Sequence, residues 1–139
     1  MLYHTDANGY VDMGIAIDPG FDFVRNLFHM GFSLYDIDIV LISHAHLDHI
    51  RDFESIVLLL NELKVREGKK RRIHMILTLG AYRRLEHIVE DPTFRYFIEP
   101  YIIDINDGAW FDLLNPLKQS LVSRIYVSKY HGLLEGCDI

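Results

Sequence analysis

The chain has 139 residues, 50% of them apolar and 24% charged, which suits one domain and excludes disordered, collagenous and low-complexity classes. The longest unbroken apolar run, 56–60, falls far short of the roughly 20 residues of a membrane span, and the first residues lack the basic-then-apolar order of a signal peptide. A soluble, cytoplasmic protein without a membrane partner is therefore expected.

The single cysteine, Cys137, allows neither an internal disulfide nor a cysteine-rich zinc site, so a metal would be held by His, Asp or Glu. The formal net charge of −6 conceals an asymmetry. Residues 1–63 net −8, residues 64–84 net +7 and residues 85–139 net −5. Lys64, Arg66, Lys69, Lys70, Arg71, Arg72, Arg83 and Arg84 make one concentrated basic segment. Its ordinary role is a solvated loop between helices, and its functional one is phosphate contact, through Lys69, Lys70, Arg71 and Arg72 above all.

Along the chain, strands alternate with helices, with no repeat and no linker. Residues 11–18 read as a strand stopped by Pro19-Gly20, and 21–30 as a short helix closed by Gly31. The segment 33–38 reads as a capped turn, and 39–43 as a continuous apolar strand of the kind buried on both faces. After a histidine cluster, Phe53, Ile56, Val57, Leu60 and Leu63 recur at helical spacing up to Gly68. A strand over 72–79 then turns at Gly80 into a helix over 81–90, which Asp91-Pro92 stops. Segments 101–105 and 109–114 flank Asn106-Asp107-Gly108, a hairpin signal, and 121–129 reads as a last strand delivering Tyr130 and His131 into a loop. Residues 1–10 offer no clear first strand.

The chemistry-bearing segment is Ser43-His44-Ala45-His46-Leu47-Asp48-His49. It follows an apolar strand, at the strand end where α/β sheets place ligand sites, and a long helix begins just after it. His44 and His46, two apart in an extended turn, can offer imidazole nitrogens to one metal, while Asp48 and His49 at the helix start can face a second. A solvated helix-capping loop is the plain alternative, but three histidines and a carboxylate within six residues are poor material for one. The remaining histidines, His4, His29, His74 and His87, have no comparable setting and read as structural or solvated.

With its His-x-His-x-Asp-His after a hydrophobic strand, and an earlier strand ending Ile15-Ala16-Ile17-Asp18-Pro19-Gly20, the sequence resembles the metallo-β-lactamase superfamily. The resemblance implies an α/β (α+β) chain folded as an αββα sandwich holding one or two metal ions, usually Zn²⁺, with Mn²⁺ or Fe as alternatives. It implies that His44 and His46 bind the first metal, with His131, 82 residues beyond His49, as a third ligand. Asp48 and His49 would bind the second, and Asp18 would brace the histidine loop without being a ligand. The family's later bridging aspartate and final histidine have no counterpart in this sequence. Residues 1–139 are thus expected to be a single, truncated domain, the N-terminal half to two thirds of the sandwich, with ligands from another copy of the chain, as a homo-oligomer, or a degenerate relative as alternatives.

The resemblance further implies a metal-dependent hydrolase. Zinc lowers the pKa of bound water from near 16 to about 7, so hydroxide is available at neutral pH, and Asp48 would help orient it. Phosphodiesters, including nucleic acid or nucleotides, are the leading substrate class, on the strength of the basic segment. A glyoxalase-type thioesterase is the enzymatic alternative, and a catalytically incomplete interaction module on the same fold is the non-enzymatic one.

Overall fold

Three strands of the chain are apolar at nearly every position, and they form the middle of a sheet. The computed structural model describes residues 1–67 and 72–103, all within one compact unit, Met1–Ile105. Its five strands are β1 (Leu2–Thr5), β2 (Val11–Ile17), β3 (Ile39–Ile42), β4 (Ile73–Thr78) and β5 (Ile98–Ile103), and they stand side by side in chain order. The first pair is antiparallel and the other three are parallel, so the sheet is mixed.

The helices are α1 (Phe23–His29), α2 (Leu47–Ile50), α3 (Phe53–Glu67), α4 (Leu79–Val89) and α5 (Pro92–Arg95), with a 3-10 turn at Leu34–Asp36. Parallel strands in sequential order need crossovers of one hand, which puts the connecting helices on one face of the sheet. The core reflects this. Ala16, Val40, Ile42, Met75 and Leu77 pack with Leu27 of α1, Phe53, Ile56, Val57 and Leu60 of α3, and Leu85 and Ile88 of α4. Alternation turns Ile15, Ile39, His74 and Ile76 to the other face, where they too are buried. The central strands are thus apolar at nearly every position because residues on both of their faces are buried.

Local chemistry sets the joints. Ser33 caps the 3-10 turn reciprocally with Asp36: the Ser33 hydroxyl accepts from the Tyr35 N–H, and the Asp36 carboxylate accepts from the Ser33 N–H. Thr78 at the end of β4 caps α4, accepting from the Ala81 N–H, so Gly80 lies inside that helix and the turn expected there is absent. Asp91-Pro92 ends α4 as expected and at once starts α5, with Asp91 as cap and Pro92 in the first turn.

Two expectations are corrected. Residues 1–10 do contain a strand: β1 pairs with β2 through a turn in which the Asp6 carboxylate accepts from the Asn8 and Tyr10 N–H groups. All four residues of β1 are exposed, so it carries no apolar alternation to read. Strand β5 begins at Ile98, three residues earlier than expected, and Pro100 lies within it. Pro100 pairs with Met75 at one side of β5, a setting that tolerates a residue without an amide proton where the other side has no ladder among the described residues. Gly68, the 106–108 hairpin, the 121–129 strand and His131 lie outside the described residues.

Candidate metal centre

The histidine loop begins where β3 ends. The register sets Ile15 beside Ile39 and Ile42 beside Leu77, so the C-terminal ends of β2, β3 and β4 form one edge of the sheet. Asp18 leaves β2 at this edge and Ser43 leaves β3. The Asp18 N–H donates to the Leu41 carbonyl, extending the pairing by one residue before the backbone turns left-handed at Asp18, with φ 45°.

From that turn the Asp18 carboxylate reaches the neighbouring strand. It accepts from the Ser43 N–H at 2.7 Å and from the Ser43 hydroxyl at 2.5 Å. The same hydroxyl oxygen lies 2.7 Å from Nδ1 of His44. Because an ionised carboxylate only accepts, the serine proton is committed to Asp18, and His44 must donate its Nδ1–H to Ser43. That fixes the tautomer and leaves Nε2 with its lone pair available, the state a metal-binding imidazole requires.

The other side chains gather around this relay. Nδ1 of His49 lies 3.5 Å from the Asp18 carboxylate, and its Nε2 lies 3.5 Å from that of Asp48. The His44 ring is 4.1 Å from that of His49 and 4.7 Å from that of His46, centroid to centroid, and His46 is 6.4 Å from His49. Asp18, His44 and His49 each offer an atom within 4.8 Å of the others, and all three are half-buried. Two imidazoles and one carboxylate are a donor set suited to zinc or another borderline divalent ion, so the residues fit such a metal. His46 caps the first turn of α2, with its carbonyl accepting from the His49 N–H, and its side chain is exposed, as is that of Asp48. Of the expected ligands, His44, His46, Asp48 and His49 thus lie together at one edge, and Asp18 lies within ligand reach as well as against Ser43. His131 lies outside the described residues.

Two contributors were not read from the sequence. Ser43 opens the chemistry-bearing segment but carries no role there, although its position between the apolar run and the first histidine is the signal for a residue that links the two. Gly20 reads from the sequence as a strand stop and as part of the strand-ending motif, without a packing role. A Cβ there would sit 1.7 Å from the backbone oxygen of Asp48, so the loop after β2 packs directly on the histidine loop and only glycine fits. Asp52 ties the same two segments: its N–H donates to the Pro19 carbonyl, and its carboxylate accepts from the Val24 N–H in the first turn of α1.

The described arginines of the basic segment that precede β4 stand elsewhere. Arg72 precedes β4 at the opposite edge of the sheet, about 20 Å from Thr78 along the strand at the usual rise per residue, and it pairs there with Glu99. Arg66, at the end of α3, pairs with Glu62 at 3.2 Å. Being close to the metal loop in sequence does not bring Arg66 and Arg72 near it in space, because α3 carries the chain from one edge to the other. Lys69, Lys70 and Arg71 lie outside the described residues. Of the other histidines, His4 contacts Asp12 at 2.8 Å, His29 and His87 are exposed, and His74 is buried and stacked on Tyr101. Burial, and secondarily Glu99, push the Tyr101 phenol above its ordinary pKa, which keeps it protonated beside His74.

A family model described as the beta-lactamase superfamily domain matches residues 14–108. The chain therefore belongs to this superfamily of metal-dependent hydrolases, and its mixed sheet with helices is part of a metallo-β-lactamase fold. No curated protein matches the chain. No described helix is long and apolar enough to cross a membrane.

Proposed function

We propose that the protein is a metal-dependent hydrolase whose centre lies at the C-terminal edge of β2 and β3, and that its substrates are phosphodiesters. The observation that carries this reading is the gathering of His44, His46, Asp48 and His49 at that edge, with Asp18 against His49, in a chain of this superfamily. His44 and His46, with His131, would hold one ion, and Asp48 and His49 a second, Zn²⁺ first among the candidates and Mn²⁺ or Fe after it. When bound, such an ion supplies Lewis acidity and makes water nucleophilic at neutral pH.

The chain's own residues do the rest. Asp18 and Ser43 orient His44 and hold its proton on Nδ1. Asp48, exposed and beside His49, is placed to accept a proton from attacking water. Support for an anionic substrate comes from α4, whose N-terminus emerges one strand away, since Thr78 follows the Ile42–Leu77 pair as Ser43 does. The first-turn amides of a helix lack intrahelical acceptors and carry the positive end of its dipole. This feature supports phosphate independently of the 69–72 segment, of which only Arg72 is among the described residues.

The test is steady-state hydrolysis of bis(p-nitrophenyl) phosphate by zinc-loaded protein, by chelator-stripped protein and by His44→Ala. Turnover that requires metal and disappears in the variant is expected. Metal-dependent turnover of a thioester with none of the diester would move the function to the thioesterase class. Absence of both activities in metal-replete protein would favour an interaction module.

A further inference from the structure

A cavity of about 490 Å³ opens beside the candidate metal centre and has two chemically distinct ends. Asp18, Asp48 and His49 line one end. The other is apolar: Phe23 and Leu27 come from α1 and Met30 from its C-cap, and Tyr3 and Phe32 line it in edge-to-face contact, with ring centroids 4.8 Å apart. Among the described residues no lysine or arginine lines it, and Asn26 and the Tyr3 hydroxyl are its polar groups besides Asp18, Asp48 and His49. Arg51 lies 5.2 Å from the Phe21 ring without lining the cavity. The volume is that of a pocket for a small organic molecule, and the thioether and aromatic walls adapt to flat or branched apolar groups.

Taken with the metallohydrolase reading, on which it rests, we infer that this cavity is the subsite for an apolar arm of the substrate, and that the substrate is a small phosphodiester carrying an aromatic or branched aliphatic group. The cavity is continuous with the metal-ligating side chains, so an ester whose charged phosphorus group lies at Asp48 and His49 would direct one of its two arms into it. A polymeric sugar-phosphate backbone fits poorly, because its repeated charge would meet a wall that offers no cation. A small amphipathic diester matches both ends at once: charge at the metal edge, and apolar surface against α1 and β1.

The test uses a matched pair of monoanionic diesters, diphenyl phosphate and dimethyl phosphate, titrated by calorimetry into the full 139-residue chain, zinc-loaded and chelator-stripped. Zinc-loaded protein should bind the diphenyl ester about tenfold more tightly or better, the effect of removing roughly 60 Å² of ring surface from water. Both esters should bind less tightly to stripped protein, with the preference kept. Asn26→Trp, which fills the cavity from its exposed rim, should abolish the preference. Independently of that variant, the cavity-lining Met30 methyl, labelled with carbon-13, should shift on adding the diphenyl ester and not the dimethyl one. The core methyls of Met13 and Met75 serve as references. Equal affinity for the two esters, or diphenyl binding that leaves the Met30 methyl unmoved, would overturn the assignment. Protein that takes up no zinc yet keeps the preference would overturn the metallohydrolase reading and leave the subsite standing. Protein that binds zinc without any preference would do the reverse.

Discussion

Asp18 combines a left-handed backbone turn, which Asp tolerates better than most residues, with a carboxylate that engages both the N–H and the hydroxyl of Ser43. Through Ser43 it determines which nitrogen of His44 is free, so a residue on β2 governs a ligand on the loop after β3. Removing one carboxylate oxygen should therefore loosen the centre without unfolding the chain. Asp18→Asn is expected to lower zinc affinity about 10- to 100-fold, and Ser43→Ala to lower it less, with both variants keeping the parent far-ultraviolet circular dichroism. Competition against a chelator of known affinity measures this. Unaltered zinc affinity in both variants would remove the Asp18–Ser43–His44 relay from the account. His44, His46, Asp48 and His49 were legible in the sequence because their spacing is itself the signal. Ser43 was not, because a serine at a strand end is common and its role depends on a partner 25 residues away.

Where the loop after β2 meets the histidine loop, Gly20 is the contact, and the absence of a side chain allows it. Gly20→Ala should force that contact apart, at a cost of about 1–3 kcal/mol, seen as a fall in Tm of about 5–15 °C. Metal affinity should fall with it, since Asp48 is the residue displaced. A variant with unchanged Tm and zinc affinity would contradict the close packing of these two loops. At this scale β2, β3, β4 and α3 were readable because their apolar residues recur at the period of the structure they adopt. Strand β1 was not: Leu2, Tyr3, His4 and Thr5 are exposed, and what holds them is pairing with β2 and a turn built on the Asp6 carboxylate. The start of β5 was missed because Pro100 argues against a strand wherever both sides need amide protons, and among the described residues β5 pairs only with β4.

At the scale of the whole described unit, the parallel crossovers sort the chemistry to opposite edges of the sheet. Candidate ligands lie at the C-terminal edge, with the amphipathic cavity opening beside them, and Arg66 and Arg72 lie toward the other edge in pairs with Glu62 and Glu99. Reversing Arg66 and Arg72 to glutamate should accordingly leave zinc content unchanged and alter kcat/KM for a small diester by less than about threefold, since charges at opposite ends of the strands are screened at physiological salt. A loss of tenfold or more would show that the segment reaches the site. This distinction was beyond the sequence, in which the basic segment and the histidine loop are separated by one helix and look adjacent. The central claim, that the strand-edge cluster is a metal centre, is tested most directly by elemental analysis of protein purified without chelator, wild type beside a His44→Ala, His49→Ala double variant. The account predicts about one equivalent or more of zinc, manganese or iron in the wild type, and a near-complete loss in a variant that remains folded. Metal content equal in the two proteins would contradict it.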